Sequence, residues 1–188
     1  MTIDTKDAVR YLQMEDAVTD AVLSRRIAQL CGLAAGTIRP SYTWKRFPIS
    51  EHGISSGGLT LQMSRTLTTH LRGCRAAYLM CGTLGAGFDA FMRRVSVTSG
   101  ADALIVQAIG TAAIEKLMDS VEDKIRAELR AGETLTARYS PGYGDFRLTE
   151  QKTMLSLLDA SRTTGISLTD ALLMVPSKSV SAIAGVKH

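Results

Sequence analysis

The sequence predicts an α+β fold: a mainly antiparallel, twisted sheet with flanking helices, one of them long and central. Residues 37–49 alternate between apolar and polar side chains, which is typical of a half-buried antiparallel strand. Residues 101–131 keep a helical period and would form a helix of roughly 46 Å. Helical and strand-like segments also follow one another without the regular alternation of a parallel sheet. We therefore expect one domain over residues 1–188.

The composition is that of a globular protein with a sizeable core, with 45% hydrophobic and 21% charged residues. No stretch approaches the roughly 18 apolar residues of a membrane span. The N-terminus lacks the basic-then-apolar order of a signal peptide. We expect a cytoplasmic protein without a membrane partner.

Two helices are predicted before the alternating strand. The first runs to about Met14, and the second covers residues 16–33 and is ended by Gly32 or Gly36. Apolar residues at helical spacing should face the core. These are Val9, Leu12, Leu23, Ile27 and Leu30.

The middle of the chain contains a Gly57-Gly58 turn, a second strand at 59–63 and a short helix at 65–72. An apolar run at 76–80 then enters a glycine-rich turn, followed by a helix at 87–94. Such a turn can bind an anion at the helix N-terminus. It lacks the Walker lysine and the full dinucleotide fingerprint, so tight packing of strand on helix is favoured.

The long helix at 101–131 is apolar nearly all round in its first half and amphipathic in its second, and Gly132 should end it. Glu115 lies at the border of the inward stripe, where a glutamate either points into a cavity or is solvated. A helix at 149–164 should follow, capped by Thr149 and closed by Gly165. The predicted inward stripe consists of Ile114, Leu117, Met118, Val121 and Ile125.

The chain should end in a β-hairpin of residues 168–175 and 179–186 around Pro176-Ser177-Lys178. Ser167 with Asp170 three residues later could instead cap a short helix.

The segment from Arg138 to Asp145, Arg-Tyr-Ser-Pro-Gly-Tyr-Gly-Asp, combines a sharp bend with ligand-binding chemistry. Gly142 lets the backbone approach a neighbour closely. Arg138 offers a charged donor fork, and Tyr143 offers an aromatic face with a hydroxyl. These groups suit a small ligand with a carboxylate and an aromatic ring. By chemistry alone, a structural bend with a solvated arginine is favoured.

Metal, nucleic-acid and independent catalytic functions are not supported. The three cysteines and three histidines lack metal-site spacing, and the cysteines are expected to be buried thiols. No nucleophile–base pair or carboxylate dyad stands out, so no catalytic residue is predicted. The net charge of +4 is compatible with an acidic partner and equally with a mildly basic surface that has no partner. No RNA-binding signature is present. Its basic pairs are Arg25-Arg26, Lys45-Arg46 and Arg93-Arg94.

Several segments together resemble the activation (reactivation) domain of cobalamin-dependent methionine synthase, in particular its short, stand-alone bacterial form. The resemblance extends over essentially the whole chain. Its specific parts are the Arg138–Asp145 segment and Met174-Val175-Pro176-Ser177-Lys178-Ser179-Val180-Ser181-Ala182. Weaker parts are Ala8–Leu12, Gly82–Gly85, Ala112–Glu115 and Gln151.

The resemblance implies an accessory module of methionine biosynthesis rather than an independent methyltransferase. Such a module binds S-adenosylmethionine and docks on the cobalamin-binding subunit. A flavodoxin-like or other reductant supplies one electron, and the oxidised cobalamin held by the partner is remethylated. The alternative is a non-catalytic capping module for another corrinoid methyltransferase, without S-adenosylmethionine.

The resemblance also implies cofactor-binding residues. Arg138 would pair with the methionyl carboxylate, and Tyr143 would contact the ligand or the corrin edge. Gly142 belongs to the same bend, and Asp145 would offer a backbone contact. Glu115 would attract the sulfonium or ammonium charge. Two family contacts, an N-terminal aspartate and a later tyrosine, have no assigned counterpart in this sequence, which makes the partner a candidate source of that part of the pocket wall.

Overall fold

The computed structural model describes residues 4–12 and 20–188. The helices among them are α1 Thr5–Leu12, α2 Ala21–Thr37, α3 Arg65–His70, α4 Ala86–Thr98, α5 Gly100–Glu128, α6 Glu150–Leu158 and α7 Ala160–Thr164. The strands are β1 Ser41–Pro48, β2 Ile54–Ser56, β3 Leu59–Leu61, β4 Ala76–Thr83, β5 Thr134–Leu135, β6 Ser167–Leu168, β7 Met174–Val175 and β8 Ser179–Lys187. The predicted α+β class is confirmed.

The main sheet has the strand order β1-β4-β8-β5, with every neighbouring pair antiparallel. The predicted strand at 37–49 becomes the edge strand β1, which pairs with β4 from Ser41↔Thr83 to Pro48↔Ala76. Strand β8 pairs with β4 over most of its length, whereas the two-residue β5 covers only its C-terminal end. One flank of β8 is therefore mostly free of strand pairing in the part of the chain that the structure describes.

The second half of α5 packs on one face of this sheet. Met118, Val121 and Ile125 are fully buried against Ala182 and Ala184 of β8. The remaining predicted stripe residues of this helix, Ile114 and Leu117, are also buried, so the stripe is confirmed.

Helices α6 and α7 cover the opposite face. Met154 and Leu158 of α6 pack with Leu79 of β4 and Ile183 of β8 around the fully buried Phe146. The sheet is therefore a middle layer between helices.

A third cluster joins α1, α2 and α4 to the first half of α5, around Ile27, Phe88 and Ile109. The inward residues predicted for the two N-terminal helices lie in it or pack against it. The first half of α5 is not buried all round, since the Leu104 residue is 68% exposed.

Two predicted helix ends are wrong. Helix α2 continues through Gly32 and Gly36 to Thr37, since a helical glycine costs only about 1 kcal/mol and the buried Cys31 and Ala34 favour continuation. Helix α5 ends at Glu128 because Leu129 is extended, and Gly132 serves a following turn with φ +85°. The predicted ends at Met14 and residue 16 lie outside the described residues.

The C-terminal predictions also need correction. The helix at 149–164 is broken at Asp159, whose backbone is left-handed with φ 53°, and Thr149 makes no side-chain cap. The hairpin is absent, and so is the short helix at Ser167: β6 pairs with β7, while β8 pairs with β4 and β5. Strand β8 is buried on both faces and forms eight residue pairs with β4, which take the place of a hairpin with residues 168–175. Gly165 closes α7 as predicted.

The glycine-rich turn before α4 packs tightly. A Cβ atom on Gly85 would lie 2.7 Å from the Arg39 carbonyl oxygen, and one on Gly87 would lie 2.5 Å from that of Thr37. The packing interpretation favoured from the sequence is confirmed at these two glycines.

The three cysteines are free thiols. Cys31 and Cys81 are buried and Cys74 is half-buried, and burial raises the pKa of Cys81 to about 11. No helix in the described ranges is long and apolar enough to cross a membrane. No cluster of metal-binding side chains occurs within them either.

An ion pair ties the edge strand β1 to the turn before β5. The Arg46 guanidinium donates to both carboxylate oxygens of Glu133 at 2.9 and 2.6 Å, and the Arg130 backbone N–H donates to the same carboxylate at 3.0 Å. The Glu133 side chain is fully buried. These bonds, the Arg46 bond above all, lower the pKa of Glu133 from 4.5 to about 2.

We expect this pair to make stability depend on pH. Between the unfolded pKa of 4.5 and the folded pKa of about 2, the unfolded chain binds a proton at Glu133 that the folded chain does not. Stability is therefore present above the unfolded pKa and is lost as pH falls through this window. Glu133→Gln should be less stable than wild type at about pH 7, and the difference should shrink toward about pH 2.5. Urea denaturation measures the free energy of unfolding.

The control is Glu51→Gln, an exposed carboxylate in the turn after β1, which should leave this pH dependence unchanged. If Glu133→Gln lowered the free energy of unfolding by the same amount at every pH, the ionised carboxylate would not be the source of the lost stability.

Candidate functional site

A cleft of about 570 Å³ opens along the free flank of β8. One wall comes from α5, another from residues 137–143 after β5, and the rest from α6, β7 and the start of β8. Its lining residues include Glu115, Glu122, Arg126, Arg138, Tyr143 and Ser181. The long helix and the Arg138–Asp145 segment therefore meet at one concave site.

The segment before the bend is held to β8 by backbone hydrogen bonds. The Thr136 N–H donates to the Gly185 carbonyl at 2.9 Å, and Tyr139 and Ile183 exchange two N–H···O bonds of 2.8 Å. Successive side chains of an extended segment point to opposite faces. Tyr139 packs on the α6 face, and Arg138 points to α5.

Arg138 meets a row of three carboxylates on α5. Its Nη2 donates to Glu115 Oε2 at 2.9 Å and to Asp119 Oδ1 at 2.8 Å. Its Nε lies 3.9 Å from Glu122 Oε1. The guanidinium is thus fixed in place, and only 20% of the side chain is exposed.

The other terminal nitrogen of Arg138 is unsatisfied. Among the residues that the structure describes, two buried side-chain polar atoms have no hydrogen-bond partner, Arg138 Nη1 and Ser181 Oγ. Both residues line the cleft. Since buried polar groups are nearly always paired, their coincidence in one cleft indicates a site for a polar ligand.

Glu122 links two cations at the cleft wall. Its Oε2 lies 3.6 Å from Arg126 Nη2, and the other oxygen faces Arg138. With a side chain only 10% exposed, Glu122 is the most buried of the three carboxylates. The cleft therefore offers both signs of charge, which suits a zwitterionic ligand.

The bend places Tyr143 at the mouth of the cleft. The Gly142 N–H donates to the Phe146 carbonyl at 2.7 Å, with Gly142 at φ +97°. Tyr143 is 59% exposed, and its ring meets the Tyr139 ring edge-on at 5.8 Å. The Tyr139 hydroxyl donates to the Tyr143 carbonyl at 3.2 Å. An aromatic face is therefore held open to an incoming ligand.

The Asp145 carboxylate points away from the cleft and receives hydrogen bonds from the start of α3. It accepts the Thr66 N–H at 2.9 Å, the Arg65 N–H at 3.2 Å and the Thr66 hydroxyl. The hydroxyl and backbone bonds from Thr66 lower the pKa of Asp145 well below its usual range. This side chain anchors the bend to α3.

The structure brings Glu115, Arg138 and Tyr143 together in the cleft, with Gly142 in the supporting bend, while Asp145 lies outside the lining. Their roles toward a ligand stay predictions. Sequence reasoning did not select Glu122, although it follows Glu115 by seven residues on the same helix face. Ser181 belongs to the Met174–Ala182 segment of the resemblance, but no local pattern predicts it as a site residue.

Gly144 should be intolerant of a side chain. Its φ is +56°, and a Cβ atom would lie 2.8 Å from Thr66 Oγ1 and 2.9 Å from the Tyr139 hydroxyl. Gly57 has the same φ of +56° with open space around it. We expect Gly57→Ala to cost about 1–2 kcal/mol from the left-handed backbone alone. Gly144→Ala should cost about 2–4 kcal/mol because crowding adds to that strain.

Chemical denaturation of the two variants measures the difference. Equal losses would mean that the bend relaxes around the added methyl group and that its close contacts do not fix it.

Comparison with known proteins gives a family and a fold. Residues 111–187 match the family model described as vitamin B12 dependent methionine synthase, activation domain. No curated protein sequence matches significantly. The crystal structure of the MetH reactivation domain bound to AdoHcy matches with a TM-score of 0.58 at 17% identity, covering 98% of this chain and 74% of that chain. The resemblance seen in the sequence is confirmed over residues 111–187, which match the pattern of the methionine synthase activation domain, and the chain has the fold of that reactivation domain.

Proposed function

We propose that this chain binds an S-adenosylmethionine-type ligand in the cleft beside β8 and serves the reductive reactivation of a cobalamin-dependent methionine synthase. The observation that carries the proposal is Arg138 Nη1, a buried cationic donor without a partner in the cleft. The match of residues 111–187 to the activation-domain model and the AdoHcy bound to the structural neighbour support the same ligand class.

Arg138 suits the carboxylate of such a ligand. Glu115 and Asp119 hold Nη2, which orients the guanidinium before any ligand arrives. A ligand carboxylate that accepts a hydrogen bond from Nη1 leaves the two Nη2 bonds to Glu115 and Asp119 intact and pairs a buried donor. Because the guanidinium is already ordered, little further side-chain entropy is lost on binding.

The remaining charges suit the cationic groups of the ligand. Glu115 and Glu122 both line the cleft. Their carboxylates lie on the α5 wall beside Arg138, where they would attract an ammonium or sulfonium group. Tyr143 would supply its exposed ring to the ligand or to the corrin edge.

The chain would act with partners rather than alone. S-adenosylmethionine supplies a methyl group, the cobalamin-binding subunit of methionine synthase holds the cobalamin, and a flavodoxin-like or other reductant supplies an electron. The residues of this chain bind and orient the methyl donor and face the docked subunit. We place this role in the cytoplasm.

One observation favours a second candidate, a capping module for a corrinoid methyltransferase without a bound methyl donor. Two carboxylates already contact Arg138 at hydrogen-bond distance, so its charge is partly balanced without a ligand. In that function, the same surface contacts the corrinoid protein directly.

Calorimetric titration with S-adenosylmethionine separates the two candidates. The chain is titrated alone and in the presence of a cobalamin-binding subunit of methionine synthase. We expect saturable heat in at least one arm. No heat in either arm would overturn the methyl-donor role and leave the capping function.

Arg138→Ala should weaken S-adenosylmethionine binding by about 1.5–3 kcal/mol, the range for a hydrogen bond to a charged group. Arg147→Ala is the matched control, because Arg147 is an exposed arginine just beyond the bend that does not line this cleft. Calorimetry gives both affinities, and thermal unfolding confirms that both variants fold. Unchanged affinity in Arg138→Ala would remove this arginine from the site.

A further inference from the structure

We infer that Ser181 is a second ligand-binding residue of the cleft, which takes the uncharged nucleoside portion of the ligand while Arg138 takes its carboxylate. This inference rests on the proposed function. Its starting point is the Ser181 hydroxyl, which is buried without a hydrogen-bond partner in a residue only 3% exposed. A buried hydroxyl without a partner destabilises the folded chain unless a bound ligand supplies the missing hydrogen bond.

The backbone of Ser181 also faces the free flank of β8. Ile183 and Gly185 both direct their N–H and C=O groups to the segment after β5. Alternation along an antiparallel strand directs the same groups of Ser181 to that side. In the part of the chain that the structure describes, β5 pairs only with Val186 and Lys187, and the nearest bridge is Tyr139↔Ile183. Ser181 therefore offers a hydroxyl and two backbone groups where no strand lies.

Ser181 and Arg138 serve different parts of a ligand. Ser181 shares the face of Ile183, which packs with α6, whereas Arg138 points to α5. Gln151 of α6 and Met174 of β7 also line the cleft, and neither carries a charge. An uncharged donor and acceptor set suits hydroxyl and ring-nitrogen groups, and the charged wall suits a carboxylate. The uncharged and the charged lining residues thus match the nucleoside and the amino-acid portions of an S-adenosyl amino acid.

Ser179 is a matched control two residues earlier on the same strand face. It also lines the cleft, but its hydroxyl is satisfied by the Pro176 carbonyl at 2.6 Å. Removing the Ser179 hydroxyl leaves that carbonyl without its bond, whereas removing the Ser181 hydroxyl removes an unpaired buried group. Ser179→Ala should therefore lower stability and leave ligand affinity nearly unchanged, whereas Ser181→Ala should lower ligand affinity without lowering stability.

The test measures binding of S-adenosylmethionine and of 5′-methylthioadenosine, which keeps the nucleoside and lacks the carboxylate. We expect Ser181→Ala to weaken both ligands by a similar factor of roughly 3 to 10, with an unchanged or raised melting temperature. Ser179→Ala should lower the melting temperature with little change in affinity. Arg138→Ala should weaken only S-adenosylmethionine.

The outcomes separate the two proposals. If wild type binds neither ligand, with or without the cobalamin-binding subunit, both the proposed function and this inference fail. If wild type binds S-adenosylmethionine and Ser181→Ala binds both ligands as tightly, the inference alone is overturned. A loss confined to S-adenosylmethionine would also overturn it, because it would place Ser181 at the carboxylate.

Discussion

The packing of α5 across the sheet is the constraint on which the rest of the structure depends. Its second half buries an apolar stripe against β4 and β8, and the close approach requires Gly82, where a Cβ atom would lie 2.9 Å from Met118 Sδ. The first half of the same helix organises α1, α2 and α4. Any substitution that lifts α5 from the sheet would therefore disturb both the core and the wall of the cleft.

The cleft exists because the sheet is incomplete beside β8. A longer β5 would pair with the start of β8 and fill the space, but β5 ends after two residues and the chain turns into the bend at Pro141. The backbone groups of β8 at this flank are then available to a ligand. The site is built on a rigid central strand and a long helix, which suits precise placement of a small molecule.

The electrostatic design of the site follows from helix periodicity. Glu115, Asp119 and Glu122 are spaced four and three residues apart, so they form one row along α5. This row holds one side of Arg138 and leaves Nη1 to the cleft. An arginine without these carboxylates would stay solvated and mobile, whereas Arg138 is held in one orientation with Nη1 unpaired.

The sequence by itself determined the α+β class, the buried stripe of α5 and the strand that becomes β1, because these depend on local periodicity. The Arg138 bend was singled out as a site by the resemblance, since its turn chemistry alone favoured a structural bend. Only the tertiary structure decided that β8 pairs with β4 rather than forming a hairpin, since strand partners distant in sequence compete by burial. It also placed Glu122 and Ser181 in the same cleft as Arg138, and it directed the Asp145 side chain to α3. Which polar atoms end up buried without a partner is a property of the packed chain, and no local pattern specifies it.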